Sequence, residues 1–270
     1  MDKKQLVIKQ SYDKLNGLLD HSQEALPSEF NKARFVQNCT AVWESIKDIE
    51  LIDPQSIART MLKGAFLGLD FFNKECYAIP RNKKVGNNFV KHMSFQTDYK
   101  GEIKLAKKYA INNVIDIYAK VVKEGDEFSQ SIEDGKQLIT YKPKPFNDGK
   151  IIGAFAVAKM ADGALKCEEM SASDIERVKD GFAKVDKKTG AYSKAWTVTR
   201  EEMYKKTVLR RLCKGITLDF DSTEQRLAWD EGSDMDMNKK IEHKPMSSLD
   251  AQDQKTIDAP HENVEDLEEK

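Results

Sequence analysis

The chain has 270 residues, enough for one sizeable domain or a domain with a tail. A third of the residues are charged, and no run approaches ~18 consecutive apolar residues, which excludes a membrane-spanning helix on sequence grounds. The net charge of -1 hides an uneven distribution: 10 basic against 11 acidic residues over 1–80, 28 against 19 over 81–220, and 6 against 15 over 221–270. A basic body with an acidic tail is the pattern of a polyanion binder, although a lysine-rich solvated surface gives the same counts. The cysteines, Cys39, Cys76, Cys167 and Cys213, are scattered with no Cys-x-x-Cys, and the four histidines do not cluster with them. Reduced core thiols are expected, not disulfides or a zinc site. The first residues lack the apolar segment of a signal peptide, so the expected compartment is the cytoplasm.

In chain order, residues 1–26 are polar and weakly patterned. From Ser28, a candidate N-cap, Phe30, Ala33, Val36, Cys39, Trp43, Ile46 and Ile49 recur at three and four residues and predict an amphipathic helix. Asp53-Pro54 opens a second helix, with Asp as cap and Pro at the first helical position, ending near Gly68. The run Cys76-Tyr77-Ala78-Ile79-Pro80, a polar stretch over 81–88, and 89–95 predict a β-hairpin whose tip carries Arg81, Lys83 and Lys84, with Lys91 following. A short helix is expected over 102–109 and a strong strand over 114–122. Segments 139–142, 151–160 and 165–170 are expected to complete an antiparallel sheet. Ser171 caps a helix to about Gly181, 183–194 reads as polar loop, and 199–214 as the last strong helix. From 230 onward the composition cannot bury enough apolar area to offset ordering entropy, so disorder or a tethered partner-binding tail is expected.

The helix over 199–214 is the most informative element. Tyr204, Val208 and Leu212 form an i, i+4, i+8 seam, widened by Leu209 and Cys213. Lys206, Arg210 and Lys214 repeat that spacing on a second face, with Arg211 beside them. Such a row sets cations about 6 Å apart, an interval that can follow a phosphodiester backbone, and arginine adds a fork suited to phosphate. A solvated basic face is the alternative; it is disfavoured because these like charges repel with no acidic partner among them. A second candidate is the junction Gln96-Thr97-Asp98-Tyr99-Lys100-Gly101, followed by Lys104, where a helix N-terminus offers backbone amides to phosphate and Tyr99 could stack. Thr97 or Asp98 as a simple N-cap is compatible with that role. Trp196, flanked by Lys194 and Arg200, is either core or a base-stacking platform.

Enzyme templates fail: GxxxxGK[ST], GxGxxG, GxSxG and HExxH are missing, and adjacent carboxylates such as Glu168-Glu169 do not share a face. No cofactor, catalytic residue or metal ligand is expected.

Taken in order, Gly68-Leu69-Asp70, Glu75-Cys76-Tyr77-Ala78-Ile79-Pro80-Arg81, Gln96-Thr97-Asp98-Tyr99-Lys100-Gly101, Ile152-Gly153-Ala154-Phe155-Ala156 and the block from Trp196 to Leu212 resemble the RecT family of phage recombinases over roughly 30–220. The resemblance implies an α+β fold: a small antiparallel sheet with a β-hairpin, backed by helices, in an oligomeric annealing protein. It implies ATP-independent annealing of complementary single strands of DNA in phage recombination, by rings or helical filaments in the host bacterium. It also implies partners for the acidic tail, a phage exonuclease or the host single-strand-binding protein. The expected parts are an N-terminal segment 1–27, a DNA-binding and oligomerisation domain 28–220, and an acidic, largely disordered tail 221–270. The expected groove combines Lys205, Lys206, Arg210, Arg211 and Lys214 with Thr97, Tyr99, Lys100 and Lys104, with Gln96, Lys194, Trp196 and Arg200 adjoining. It would hold a strand by its backbone, carry no base information and leave pairing to test identity. A non-annealing nucleic-acid coat or RNA-binding protein is the alternative class, and a nuclease a third.

Overall fold

The computed structural model describes residues 2–86, 88–183, 185 and 189–233, all within one unit spanning Met1–Met237. Of the acidic tail expected over 221–270, residues 234–270 lie outside the described residues.

The N-terminal segment is not weakly structured: α1 (Lys3–His21) is a full helix. Val7, Ile8, Leu15 and Leu19 face inward at helical spacing, and the position that interrupts the apolar pattern, Ser11, is buried with its hydroxyl donating to the Val7 carbonyl at 2.8 Å. Leu15 and Leu19 have no solvent exposure and α1 lies against the third helix, so residues 1–27 belong to the body. A chain beginning at residue 28 is therefore expected to lose its cooperative thermal transition. In denaturant unfolding, Leu15→Ala should cost about 2–5 kcal/mol.

Helix α2 (Lys32–Ser45) begins later than expected, because Asn31, not Ser28, caps it by accepting from the Arg34 amide at 3.0 Å. It ends before Ile46 and Ile49, since Asp48 sits in the left-handed region at φ 58 and the chain turns there; Ile49 is still fully buried, now from a 3-10 turn. Helix α3 (Pro54–Phe66) follows its prediction, with Asp53 capping and Pro54 leading. It is buried on several sides, against α1 and the hairpin.

Strands β1 (Cys76–Val85) and β2 (Asn88–Thr97) form the expected antiparallel hairpin, but with longer arms. Arg81, Lys83 and Lys84 therefore lie along β1 and not at a tip, and Gly86 (φ +61) begins the turn. Helix α4 (Tyr99–Tyr109) starts three residues earlier than expected because Asp98 caps it. Gly101 is required there: a Cβ would run into the Glu75 carbonyl oxygen, so α4 packs its first turn against the start of β1.

The remaining strands do not make one sheet. β3 (Val114–Lys123), β6 (Ile151–Met160) and β7 (Leu165–Ser171) form a three-stranded antiparallel sheet with β6 central. The segment 139–142 belongs instead to β5 (Lys136–Lys142), paired with β4 (Glu127–Glu133) in a separate hairpin. That hairpin turns at Asp134-Gly135, both at positive φ (50 and 75), the combination that matches the twist of a two-residue hairpin. Alternation along β6 sorts the layers. Ala154, Ala156 and Ala158 face the main core, where α7 (Arg200–Lys214) packs on β6, while Phe155 and Val157 face the β4–β5 hairpin. There Phe128 and Tyr141 stand with ring centroids 5.0 and 5.1 Å from Phe155.

Ser171 caps α5 (Ala172–Phe182) as expected. The stretch 183–194 is described only in part, and there Val185 and Tyr192 form an isolated bridge. A four-residue helix, α6 (Lys194–Thr197), precedes α7. The body also runs past Phe220: α8 (Thr223–Ser233) buries Ala228 and Trp229, and the Gly232 carbonyl oxygen lies 3.3 Å from the Thr97 hydroxyl.

A candidate nucleic-acid interface

Helix α7 anchors through Tyr204, Val208, Leu209, Leu212 and Cys213, all buried, as its spacing predicts. Its partner face on β6 is made of small residues, Ala154, Ala156 and Ala158, buried in the same core as the seam. Lys206, Arg210, Arg211 and Lys214 then project to one side, where they line a cavity of about 200 Å³ together with Gln96, Thr207 and Trp196. The apolar part of the cavity lining is made by Met170, Val178, Phe182, Ala183 and Met203. A half-apolar cleft edged by four cations and an indole suits a ligand with both a charged backbone and flat rings.

The cationic row is not without acidic partners. Lys206 reaches Asp98 at 2.8 Å, Arg210 reaches Glu102 at 3.0 Å and Arg211 reaches Glu168 of β7 at 2.6 Å. Lys205 pairs with Glu202 one turn back on its own helix. The partners come from α4 and β7, far away in sequence, which is why repulsion along α7 alone misjudged the row. Lys206 also stands 5.7 Å from the centre of the Tyr99 ring.

The expected site residues fall into groups. Gln96, Trp196, Lys206, Arg210, Arg211 and Lys214 are brought together around the cavity, and Tyr99 reaches it through Lys206. Lys100 and Lys194 are exposed. Thr97 is fully buried, donating to Glu102 at 2.9 Å, so its hydroxyl serves the interior. Lys104 lies on another face of α4, bonded to Glu75 and the Gly68 carbonyl, each at 2.8 Å. The hairpin cations Lys83 and Lys84 are exposed, while Lys91 pairs with Asp48 at 3.1 Å.

Arg200 joins a second polar cluster that ties α7 to α5. Its guanidinium donates to Glu176 at 2.6 Å and to the Tyr204 hydroxyl at 2.8 Å, while Tyr204 donates to Glu176 at 2.7 Å. Burial alone would raise the Glu176 carboxyl, but hydrogen bonds from Lys179, Tyr204 and Arg200 outweigh it and hold the group at about 2. Burial and the Glu176 bond push the Tyr204 hydroxyl up to about 12. The folded protein thus binds fewer protons at Glu176 than the unfolded chain, where the ordinary value is 4.5. Its contribution is present above that value and is lost as the pH falls towards 2. Acid unfolding followed by circular dichroism should show this, and Glu176→Gln should flatten the pH dependence below 4.5.

All four cysteines are free and buried, and burial pushes the Cys39, Cys76 and Cys213 thiols well up, keeping them protonated and unreactive. Among the described residues no group of His, Cys, Asp or Glu could hold a metal ion, and no helix is long and apolar enough to cross a membrane.

Residues 33–243 match the family model described as the RecT family. The chain belongs to the RecT family. A RecT relative, Protein RecT of Escherichia coli (strain K12), is 28% identical over 204 residues, covering 73% of this chain and 71% of that protein. The RecT match begins inside α2, so α1 lies before it, and it takes in α7, α8 and every residue that lines the cavity. Membership supports, in general terms, a role in recombination and annealing on DNA.

Sequence reasoning missed Asp98, Glu102, Glu168 and Glu176 as partners of the cations, and the apolar wall of the cavity. One signal was present for the first two: Asp98 and Glu102 are four apart, as are Lys206 and Arg210. Nothing in the chain order shows that the two pairs meet.

Proposed function

We propose that this protein binds single-stranded DNA and anneals complementary strands without ATP, during phage homologous recombination, with no catalytic residue of its own. The observation that carries the reading is the line of Lys206, Arg210, Arg211 and Lys214 along one side of a cavity that also holds Trp196. Cations at neighbouring turns suit successive phosphates, and an indole beside an apolar wall suits an unstacked base. Contacts to the backbone carry no base information, so the protein would accept any sequence and leave identity to pairing. In this reading the exposed Lys83, Lys84, Lys100 and Lys194 are further candidates for phosphate contacts. Membership in the RecT family supports annealing as the purpose.

The same reading includes assembly into rings or filaments, a DNA-binding and oligomerisation body, and an acidic segment after it that recruits a phage exonuclease or the host single-strand-binding protein. It places the work in the host cytoplasm.

The test is a strand-pairing assay with two complementary oligonucleotides, one labelled, run without nucleotide and across a salt series. Arg211→Ala should weaken binding and reduce the magnitude of the log K against log salt slope by about 0.7, the share of one single-strand phosphate. A slope independent of salt, or full annealing by a variant lacking both Arg211 and Lys214, would sink the assignment of the surface. Tight binding without pairing would favour a coat protein, and magnesium-dependent loss of labelled DNA a nuclease.

A further inference from the structure

The cations of the cavity are held in two different ways. Arg211 and its partner Glu168 are both reached by water, with side chains 50% and 28% exposed. Asp98 and Glu102 are not: their side chains are 3% and 0% exposed, under Lys206 at 29% and Arg210 at 10%. The two carboxylates are four residues apart across the start of α4, and the two cations four apart on α7, so the pairs form successive rungs between the helices.

Each carboxylate is itself fixed. Asp98 caps α4 by accepting from the Lys100 amide at 3.3 Å, and its other oxygen accepts from Lys206 at 2.8 Å. Glu102 accepts the Thr97 hydroxyl at 2.9 Å. Gly101, between them, seats the first turn of α4 on the Glu75 carbonyl. A carboxylate sealed from water in this way cannot exchange its cation for solvent, so the long side chains above it lose their freedom before any ligand arrives. Ordering such side chains is a large part of what binding costs, and it has been met in folding.

We propose that Asp98 and Glu102 are positioning residues for polynucleotide binding, holding Lys206 and Arg210 at set heights along the cavity so that phosphates meet preordered charges. The proposal rests on reading this cavity as the DNA surface. It also makes a prediction of opposite sign to bulk electrostatics. Removing a negative charge beside a polyanion site ordinarily tightens binding, because a repulsion is lost. Here removal should loosen it, because the cation above is released into many conformers.

Asp98→Asn is the decisive variant, since asparagine caps a helix as well as aspartate and α4 should keep its start. Full-length protein would be titrated against a fluorescent oligodeoxythymidylate across a salt series, with thermal unfolding as a control on the fold. The expected result is an affinity about tenfold weaker, the equivalent of one charge-assisted contact, with an unchanged thermal midpoint. Because Asp98 acts through Lys206, Asp98→Asn in a Lys206→Ala background should add no further loss. Glu102→Gln should behave in the same direction; should it fail to fold, the Asp98 and Lys206 variants carry the test alone. Affinity equal to or tighter than wild type in Asp98→Asn, or a full loss persisting without Lys206, overturns the proposal. Lys206→Ala separates this from failure of the DNA reading: wild-type binding by Lys206→Ala means the strand lies elsewhere, whereas weakened binding by Lys206→Ala with none in Asp98→Asn removes positioning only.

Discussion

Arg210→Ala is expected to destabilise the fold by about 3–5 kcal/mol, as breaking one side of a buried ion pair does, even though arginine is counted among surface residues. The reason is the burial of both partners: Glu102 has no exposed surface, the Arg210 side chain is 10% exposed, and Nη2 lies 3.0 Å from Oε1. Without the guanidinium, Glu102 must either keep a charge with no counterion or take up a proton, and both are costly in a site closed to water. Replacing both partners together, Glu102→Leu with Arg210→Met, should recover most of that loss, because neither charge is then stranded. The double variant should nonetheless pair strands poorly, since the cavity has lost a cation. Urea unfolding and annealing measured on the same three proteins check this. An Arg210→Ala midpoint equal to wild type would show that the pair is not closed to solvent.

The second large effect concerns where the body stops. A chain ending at residue 220, the expected end of the DNA-binding and oligomerisation domain, should be unstable, while one ending at 233 should unfold as a single cooperative unit. Residues 223–233 form α8, whose Trp229 is 8% exposed with its ring 6.3 Å from that of Phe220. Further along, Lys63 binds Glu231 at 2.5 Å, and a Cβ on Gly232 would come within 2.6 Å of the Phe95 ring. Phe95 has no exposure in the folded protein and would be uncovered by the shorter chain. Trp229→Ala by itself should cost about 3–5 kcal/mol. Heat denaturation of the two truncated chains, compared with the full one, separates them; equal midpoints would mean that α8 contributes nothing to the body.

Elements whose signal is local are legible in the amino-acid order. The seam at 204, 208 and 212, the Asp53-Pro54 opening, the Ser171 cap and the first hairpin all depend on residues a few positions apart, and the chain adopts each of them. Where a reading failed, a polar residue or a short segment had hidden the pattern. Ser11 breaks the apolar period of α1 because its hydroxyl is satisfied by the helix backbone. Asp134-Gly135 is a strong hairpin signal, but Glu127–Glu133 on one side of it is too polar to read as a strand, which left 139–142 without its hairpin partner and assigned to the larger sheet. α8 is short and follows a shift towards acidic composition, so its single tryptophan was outweighed.

The cationic row shows the same division. Its residues, spacing and shared face could be read from α7 alone, because helical periodicity is a property of consecutive residues. Their electrostatic state could not. Asp98 and Lys206 are 108 positions apart, and only the packing of α4 against α7 brings them to 2.8 Å. By itself, then, the amino-acid order determined the helix, its buried seam, its row of positive charge and the family to which the chain is akin. Tertiary structure alone decided which of those charges are neutralised, which are sealed from water and which face the cavity with Trp196, because charge pairing depends on distance in space and on exclusion of solvent, and neither is written in the spacing of a single helix.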